Sequence, residues 1–253
     1  MTIRFNKKNL EKFKQYFPSE PSQGSVGKTP SLILRHTELP KDSWPDQYPI
    51  NKQASRDTIR AICRDRNVDE KAAYVCAMAW GGLRKRYVLS ALKSPALVEI
   101  LKMIRQCSNR MDSFHALSRA WRERLIVGMR VSFFTKLPYF FLPEENAYIL
   151  DQWTAKSANL LWENCPVAMD RTRTFPDPDT APDQYESYCL FTEELAREMK
   201  WNQPVSAEIA MFGKNENGIN NWRQHVRAVW PLMSCRSGLA ECCSRTSRME
   251  RWP

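Results

Sequence analysis

The chain has 253 residues, 43% apolar and 26% charged, and its 38 Lys plus Arg against 28 Asp plus Glu leave a formal net charge of +10; that is enough for one large domain or two small ones with a sizeable core, and it favours a polyanionic partner such as DNA, RNA or an anionic surface. There is no run of 18 apolar residues, so a membrane-spanning helix is excluded. The eight cysteines contain no Cys-x-x-Cys pair and the three histidines are scattered, so zinc and iron–sulfur centres are not expected and most of the thiols read as small buried apolar groups.

The first residues, "MTIRFNKKNLEKFKQYF", lack the continuous apolar stretch of a signal peptide and read as a basic amphipathic helix or arm, so the cytoplasm is the expected location. Residues 18–52 are proline-rich: "PSEPSQGSVGKTP" reads as flexible, and "SLILRHTELP" as a short strand or extended arm that Trp44 and Tyr48 pin to the core. Residues 1–54 are thus expected to be an N-terminal arm, partly extended or flexible. A helical domain is expected over residues 55–231. "SRDTIRAICRDR" opens with Ser55 as cap, and "DEKAAYVCAMAW" runs at helical spacing to Gly81-Gly82. "SPALVEILKMIRQC" has Ser94 as cap and Pro95 at the first helical position. "MDSFHALSRAWRERLIV" leads into Gly128, with a hairpin near 125–136. After a helix in "DQWTAKSANLLWEN", residues 165–183 form a Pro- and Asp-rich loop. Helices follow in "QYESYCLFTEELAREM", "PVSAEIAMFG" and "INNWRQHVRAVW". Residues 232–253 show no periodicity and are expected to be a disordered tail. Strand-like alternation is nearly absent, so the fold class is mostly α.

The chemistry concentrates between 125 and 153, "LIVGMRVSFFTKLPYFFLPEENAYILDQW". Gly128 permits a left-handed turn and close approach by another molecule. The helix that follows from about Val131 presents free N–H groups and a positive dipole end, which suit a phosphate, with Arg122, Arg124 and Arg130 adding charge. Read alone, the same glycine could simply end a helix. Asp151 stands at the N-cap of the next helix, where N–H groups and the dipole favour an anion. Its plain role is capping. Its chemical one is to face the oxocarbenium-like sugar that forms when an N-glycosidic bond breaks, and to orient the attacking water.

Together, glycine hairpin, helix and capped aspartate resemble the helix-hairpin-helix DNA glycosylase superfamily, in which Leu-Pro-Gly-Val-Gly precedes a helix and an aspartate lies about twenty residues on. Here Ile126 to Arg130 occupy the hairpin, with Val127 in place of the proline and Arg130 in place of the second glycine. "GMRVSFFTKLPYFF…ILDQWTAKSAN" and "YESYCLFTEELAREM…EIAMFG" are similar to the bacterial family of 8-oxoguanine DNA glycosylase OGG-fold proteins, over roughly residues 55–215. The resemblance implies a helix-hairpin-helix glycosylase-like fold, with two helical subdomains and a cleft between them, and Asp151 as the catalytic carboxylate.

The slot of the superfamily's lysine nucleophile holds Ser132, and Lys136 follows one turn later, about 6 Å along the axis. Three readings of Lys136 stand: a nucleophile in shifted register, a contact to phosphate or base, or a solvated helix lysine; a monofunctional, water-using enzyme is the expectation. Gly128, Met129, Arg130 and Ser132 are expected on the DNA backbone. "WGGLRKRY" is a candidate wedge loop, with Arg84, Lys85 and Arg86 for phosphates or, equally, a solvated basic turn. Phe133, Phe134, Trp153 and Trp80 are candidates for the base pocket, closed by Phe212, although such spacing is also that of an ordinary core. The resemblance implies no cofactor beyond a monovalent cation at the hairpin. It implies a monomer acting on double-stranded DNA with a modified base. Relatives implicated in defence against phages point to a hypermodified cytosine such as a glucosylated hydroxymethylcytosine. The alternatives are 8-oxoguanine repair, a non-catalytic DNA-binding module and an RNA-binding adaptor.

Overall fold

Side-chain caps set six of the helix starts among the described residues. Asn6, Ser55, Asp69, Asn109, Asp151 and Asn220 each accept a hydrogen bond from a backbone N–H of the turn that follows, satisfying donors that no helical carbonyl reaches. The computed structural model describes residues 2–22, 27–39, 48, 51–144, 146–164, 167–215 and 218–233. In chain order these form α1 (Lys7–Tyr16), α2 (Ser31–Leu34), α3 (Arg56–Arg64), α4 (Glu70–Trp80), α5 (Lys85–Leu92), α6 (Ala96–Gln106) and α7 (Arg110–Arg122). Then come α8 (Val131–Phe134), α9 (Lys136–Phe141), α10 (Gln152–Leu161), α11 (Pro182–Glu198), α12 (Pro204–Phe212), and α13 (Asn221–Val229). A two-residue antiparallel hairpin, β1 (Lys214–Asn215) and β2 (Gly218–Ile219), joins α12 to α13. The mostly helical expectation holds, and no helix among the described residues is long and apolar enough to cross a membrane.

The helices pack as two groups. In the first, α4 is buried on every side from Ala72 to Trp80 and packs against α3, α6 and α9. In the second, α12 lies against α10 and α11, with α13 and α1 closing over α10. Helix α7 packs on α11 and ties the groups together. Helices α1 and α13 therefore meet: Phe13 of α1 is fully buried, with its ring edge-on to Trp222 of α13 at 4.8 Å.

One N-terminal expectation changes. "SLIL" is helix α2 rather than a strand or extended arm, its Ile33 buried where α2 packs on α4; no strand edge among the described residues is there to pair with it. Tyr48 is indeed tied down, donating its hydroxyl to Asp65 at 3.0 Å, whereas Trp44 and residues 234–253 of the tail lie outside the described residues. The free thiols of Cys63, Cys76 and Cys189 are buried and that of Cys107 is partly so.

The segment 146–150 links the groups and delivers Asp151. It has no regular secondary structure, and Ala147, Tyr148, Ile149 and Leu150 are all buried. Its polar backbone is met by side chains: Tyr185 and Tyr188 of α11 donate to the carbonyls of Tyr148 and Ile149 at 2.8 and 2.9 Å. The Leu150 amide donates to the Thr135 hydroxyl at 3.2 Å.

Candidate active site

The hairpin comes first. Arg124 and Gly128 take positive φ, +58° and +86°. Gly128 needs both the angle and the space, because a Cβ there would stand 2.9 Å from the ring of Tyr87 on α5. Arg130 stands at the N-cap position of α8 with an exposed side chain that makes no cap hydrogen bond; against desolvation, the amide of Thr174, the Thr172 hydroxyl, the amide of Phe175 and, least, the charge of Arg130 hold the carboxyl of Asp170 below its ordinary range. The helix expected from Val131 breaks at Thr135 into α8 and α9. Pro138 explains the break: it has no N–H for the Phe134 carbonyl.

Lys136 opens α9 and is buried, 6% exposed. Its ammonium donates to the Ser132 carbonyl at 2.5 Å and lies 4.8 Å from the centre of the Phe133 ring. The stem lies against Gly81, where a Cβ would come within 2.6 Å of its Cδ and Cε. Burial pushes its pKa down to about 8, although Asp151 and Glu208 favour the charged form; Arg56 adds to the lowering. The reading of Lys136 as a solvated helix lysine is thereby corrected: the methylenes are enclosed and the charge sits at the junction of the two helical groups.

Asp151 reaches the same junction from α10. Its Oδ1 accepts from the amides of Trp153 and Thr154 at 2.7 and 3.0 Å, and its own amide donates to the Thr154 hydroxyl at 2.8 Å, completing a capping box. Its Oδ2 has no hydrogen-bond partner among the described residues, and the residue is only half-buried. One carboxylate oxygen is thus fixed and the other left available.

Aromatic and basic side chains flank this carboxylate. Trp153 is half-buried and carries Arg223 at 4.0 Å, Lys156 at 5.0 Å and Arg227 at 5.3 Å from its ring centre. Phe212 is half-buried too, its ring 5.1 Å from the Arg223 guanidinium. The pocket candidates Trp153 and Phe212 therefore share one face with Asp151. Phe134 does not: it is 1% exposed and packs on Phe114 at 5.4 Å, so it is core. Trp80, 7% exposed, lies edge-on to Phe140 and beneath Arg56, in the wall between the helical groups and not open to a base. The Met129 side chain is also core, receiving the Tyr74 hydroxyl on its sulfur at 3.4 Å; only its backbone is left to meet DNA. Ser132 is half-buried and offers Lys136 its carbonyl. Arg84, Lys85 and Arg86 are exposed, but Lys85 and Arg86 form the first turn of α5 rather than a loop.

Behind the site lies a pair the sequence does not reveal. Arg56 of α3 and Glu208 of α12 form a buried bidentate salt bridge across the two groups, at 2.7 and 2.8 Å. Next to it is a cavity of about 530 Å³, with Arg56, Asp57, Tyr139, Asn202, Gln203 and Ser206 in its walls. Arg223, Arg227 and Lys156 are missed for another reason: each stands in a helix that reads as ordinary. The only signal was the i, i+4 spacing of Arg223 and Arg227 in "NWRQHVRAV".

A family model described as "Putative 8-oxoguanine DNA glycosylase OGG-like protein" matches residues 25–212, well over half of the chain. No curated protein and no solved structure matches it.

Proposed function

This chain belongs to the OGG-like DNA glycosylase family, and from that premise we propose that it flips a modified nucleotide out of duplex DNA and hydrolyses its N-glycosidic bond with Asp151. The observation that carries this reading is the division of labour on the Asp151 carboxylate. Two amides hold Oδ1, while Oδ2 is free of partners among the described residues at a half-buried position beside unpaired cations and an aromatic face. A carboxylate so fixed stabilises positive charge on the deoxyribose without reorganising. The C1′–N bond breaks with its electron pair going to the base, and water adds to C1′. One water proton passes to Asp151 and the other stays in the new hydroxyl. Asp151 then gives up that proton, which goes to the departed base, so the base ends neutral, the carboxylate is restored and an abasic sugar remains.

Lys136 serves this route as a buried counter-charge rather than as a nucleophile, because its ammonium is held on the Ser132 carbonyl. The lyase reading has its own support in the same residue: a lysine with a pKa near 8 has an appreciable neutral fraction at physiological pH. The excised base proposed from the family resemblance is a glucosylated cytosine, and the role that follows from it is defence against phages that carry one.

The test is direct. Purified protein is incubated with DNA from phages bearing different base modifications and with duplexes containing 8-oxoguanine, and the released small molecules are read by mass spectrometry. Asp151→Asn keeps the helix cap, since Asn caps as well as Asp; it should cut base release by about a hundredfold or more while DNA affinity stays within about twofold. Borohydride during turnover should trap no covalent adduct. If no free base and no abasic site appear on any substrate, the protein is a binding module and the catalytic reading fails.

A further inference from the structure

Helix α13 lies beyond residues 25–212, where the family match ends, yet it places charge at the site. Its docking is rigid. Trp222 is fully buried and donates its indole N–H to the Ser157 hydroxyl of α10 at 2.9 Å, which in turn donates to the Met211 carbonyl of α12 at 2.8 Å. Gly213 ends α12 in the left-handed region, φ +66°, and lets α13 approach: a Cβ there would stand 2.7 Å from Cβ of Arg223. The next residue after the Trp222 anchor is thereby fixed over Trp153.

Arg223 is half-buried between the Trp153 and Phe212 rings. Its guanidinium makes no ion pair and no side-chain hydrogen bond among the described residues, and its buried Nε is without a partner. Lys156 and Arg227, over the same indole, have no salt bridge among the described residues either. The charges that act on Arg223 are Asp151 and Arg227, and desolvation weakens its hold on the proton. A half-buried cation without a paired anion is unfavourable by itself. With its Nε buried and its Cζ over the Trp153 ring, the guanidinium has its terminal N–H groups left to meet phosphate oxygens.

We propose that Arg223, backed by Arg227 and Lys156, is a binding site for one phosphodiester of the target strand, next to the nucleotide presented to Asp151. The assignment rests on the glycosylase reading for its position on the DNA but is measured without catalysis. The full chain is titrated with a duplex carrying a tetrahydrofuran abasic analogue over a range of salt concentrations. Arg223→Gln should weaken binding about tenfold and lower the slope of log affinity against log salt by about one. Arg223→Lys, which keeps the charge but loses the fork, should restore the slope and only part of the affinity. Arg197→Gln, an exposed position on α11, should change neither. Circular dichroism confirms that each variant is folded. An unchanged affinity and slope in folded Arg223→Gln overturns the proposal, as does an equal loss in Arg223→Lys and Arg223→Gln with no change in slope. If the wild type releases no base from any DNA but Arg223→Gln behaves as expected, the phosphate site stands and the glycosylase reading falls. If base is released and Arg223→Gln binds normally, only the phosphate site falls.

Discussion

Lys136 occupies a position where charge is disfavoured, and that gives it a signature in solution. Burial lowers its pKa from the ordinary 10.5 to about 8, against the pull of Asp151 and Glu208. The folded chain then binds this proton more weakly than the unfolded chain. Below about pH 8 both states hold it, and the folded state bears the full unfavourable term. Between about 8 and 10.5 only the unfolded chain holds it, so stability contributed by this group rises with pH through that window. The whole effect is on the order of 3 kcal/mol. Urea unfolding of the wild type and Lys136→Met at several pH values should show the wild type gaining on the variant from pH 8 to 10. A constant difference between the two across that range would mean the ammonium is not desolvated as described. The enclosed stem also gives Gly81 a meaning beyond ending α4, since any side chain there would displace Cδ and Cε of Lys136.

Between elements, the placement of Asp151 depends on how the segment 146–150 is held, and Thr135 is its link to the hairpin helices. The hydroxyl donates to the Val131 carbonyl at 2.8 Å and receives the buried Leu150 amide at 3.2 Å. Thr135→Val keeps the shape but strands that amide, at a cost of about 1–3 kcal/mol; Thr135→Ser should recover most of it. Urea unfolding gives the stability, and hydrogen exchange at Leu150 the local opening. No loss in the valine variant, with Leu150 as protected as before, would remove Thr135 from the account. This link shows where the sequence is legible. Ser55, Asp151 and Gly213 can be read because capping and helix ending are local, decided within four residues of chain. The break at Thr135 is readable from Pro138 by the same logic. The partnership of Thr135 with Leu150 is not, because it spans fifteen residues and a change of direction. Aromatic spacing misleads at Phe134 for a related reason: a helical stripe gives the face but not whether that face meets Phe114 or an open cleft. Trp153 and Phe212 have the same kind of spacing, and it is α13 packed against them, with Lys156 of α10, that makes their face basic.

Across the whole molecule, the two helical groups are joined behind the site by Arg56 and Glu208. Both are nearly inaccessible, with side chains 6% and 1% exposed, and Glu208 is also one of two carboxylates that favour charge on Lys136. Removing one partner of such a pair leaves a buried cation uncompensated. Glu208→Gln should therefore destabilise the protein by about 3 kcal/mol or more at pH 7. The loss has a distinctive pH dependence, because two cations rely on Glu208 and only one can readily shed its proton. Without Glu208, Lys136 should deprotonate below the wild-type value of about 8, which relieves part of the penalty. Arg56 stays charged throughout the accessible range. The deficit of Glu208→Gln should thus be smaller than it would be with Lys136 held charged. Lys136→Met in the Glu208→Gln background should accordingly recover only the Lys136 share, leaving the Arg56 share in place. Urea unfolding of the two single variants and the double variant forms the cycle, and a non-additive coupling of about 0.5 kcal/mol or more is expected for groups this close. Strict additivity would mean that Glu208 stabilises the junction through Arg56 alone and leaves the charge on Lys136 to Asp151.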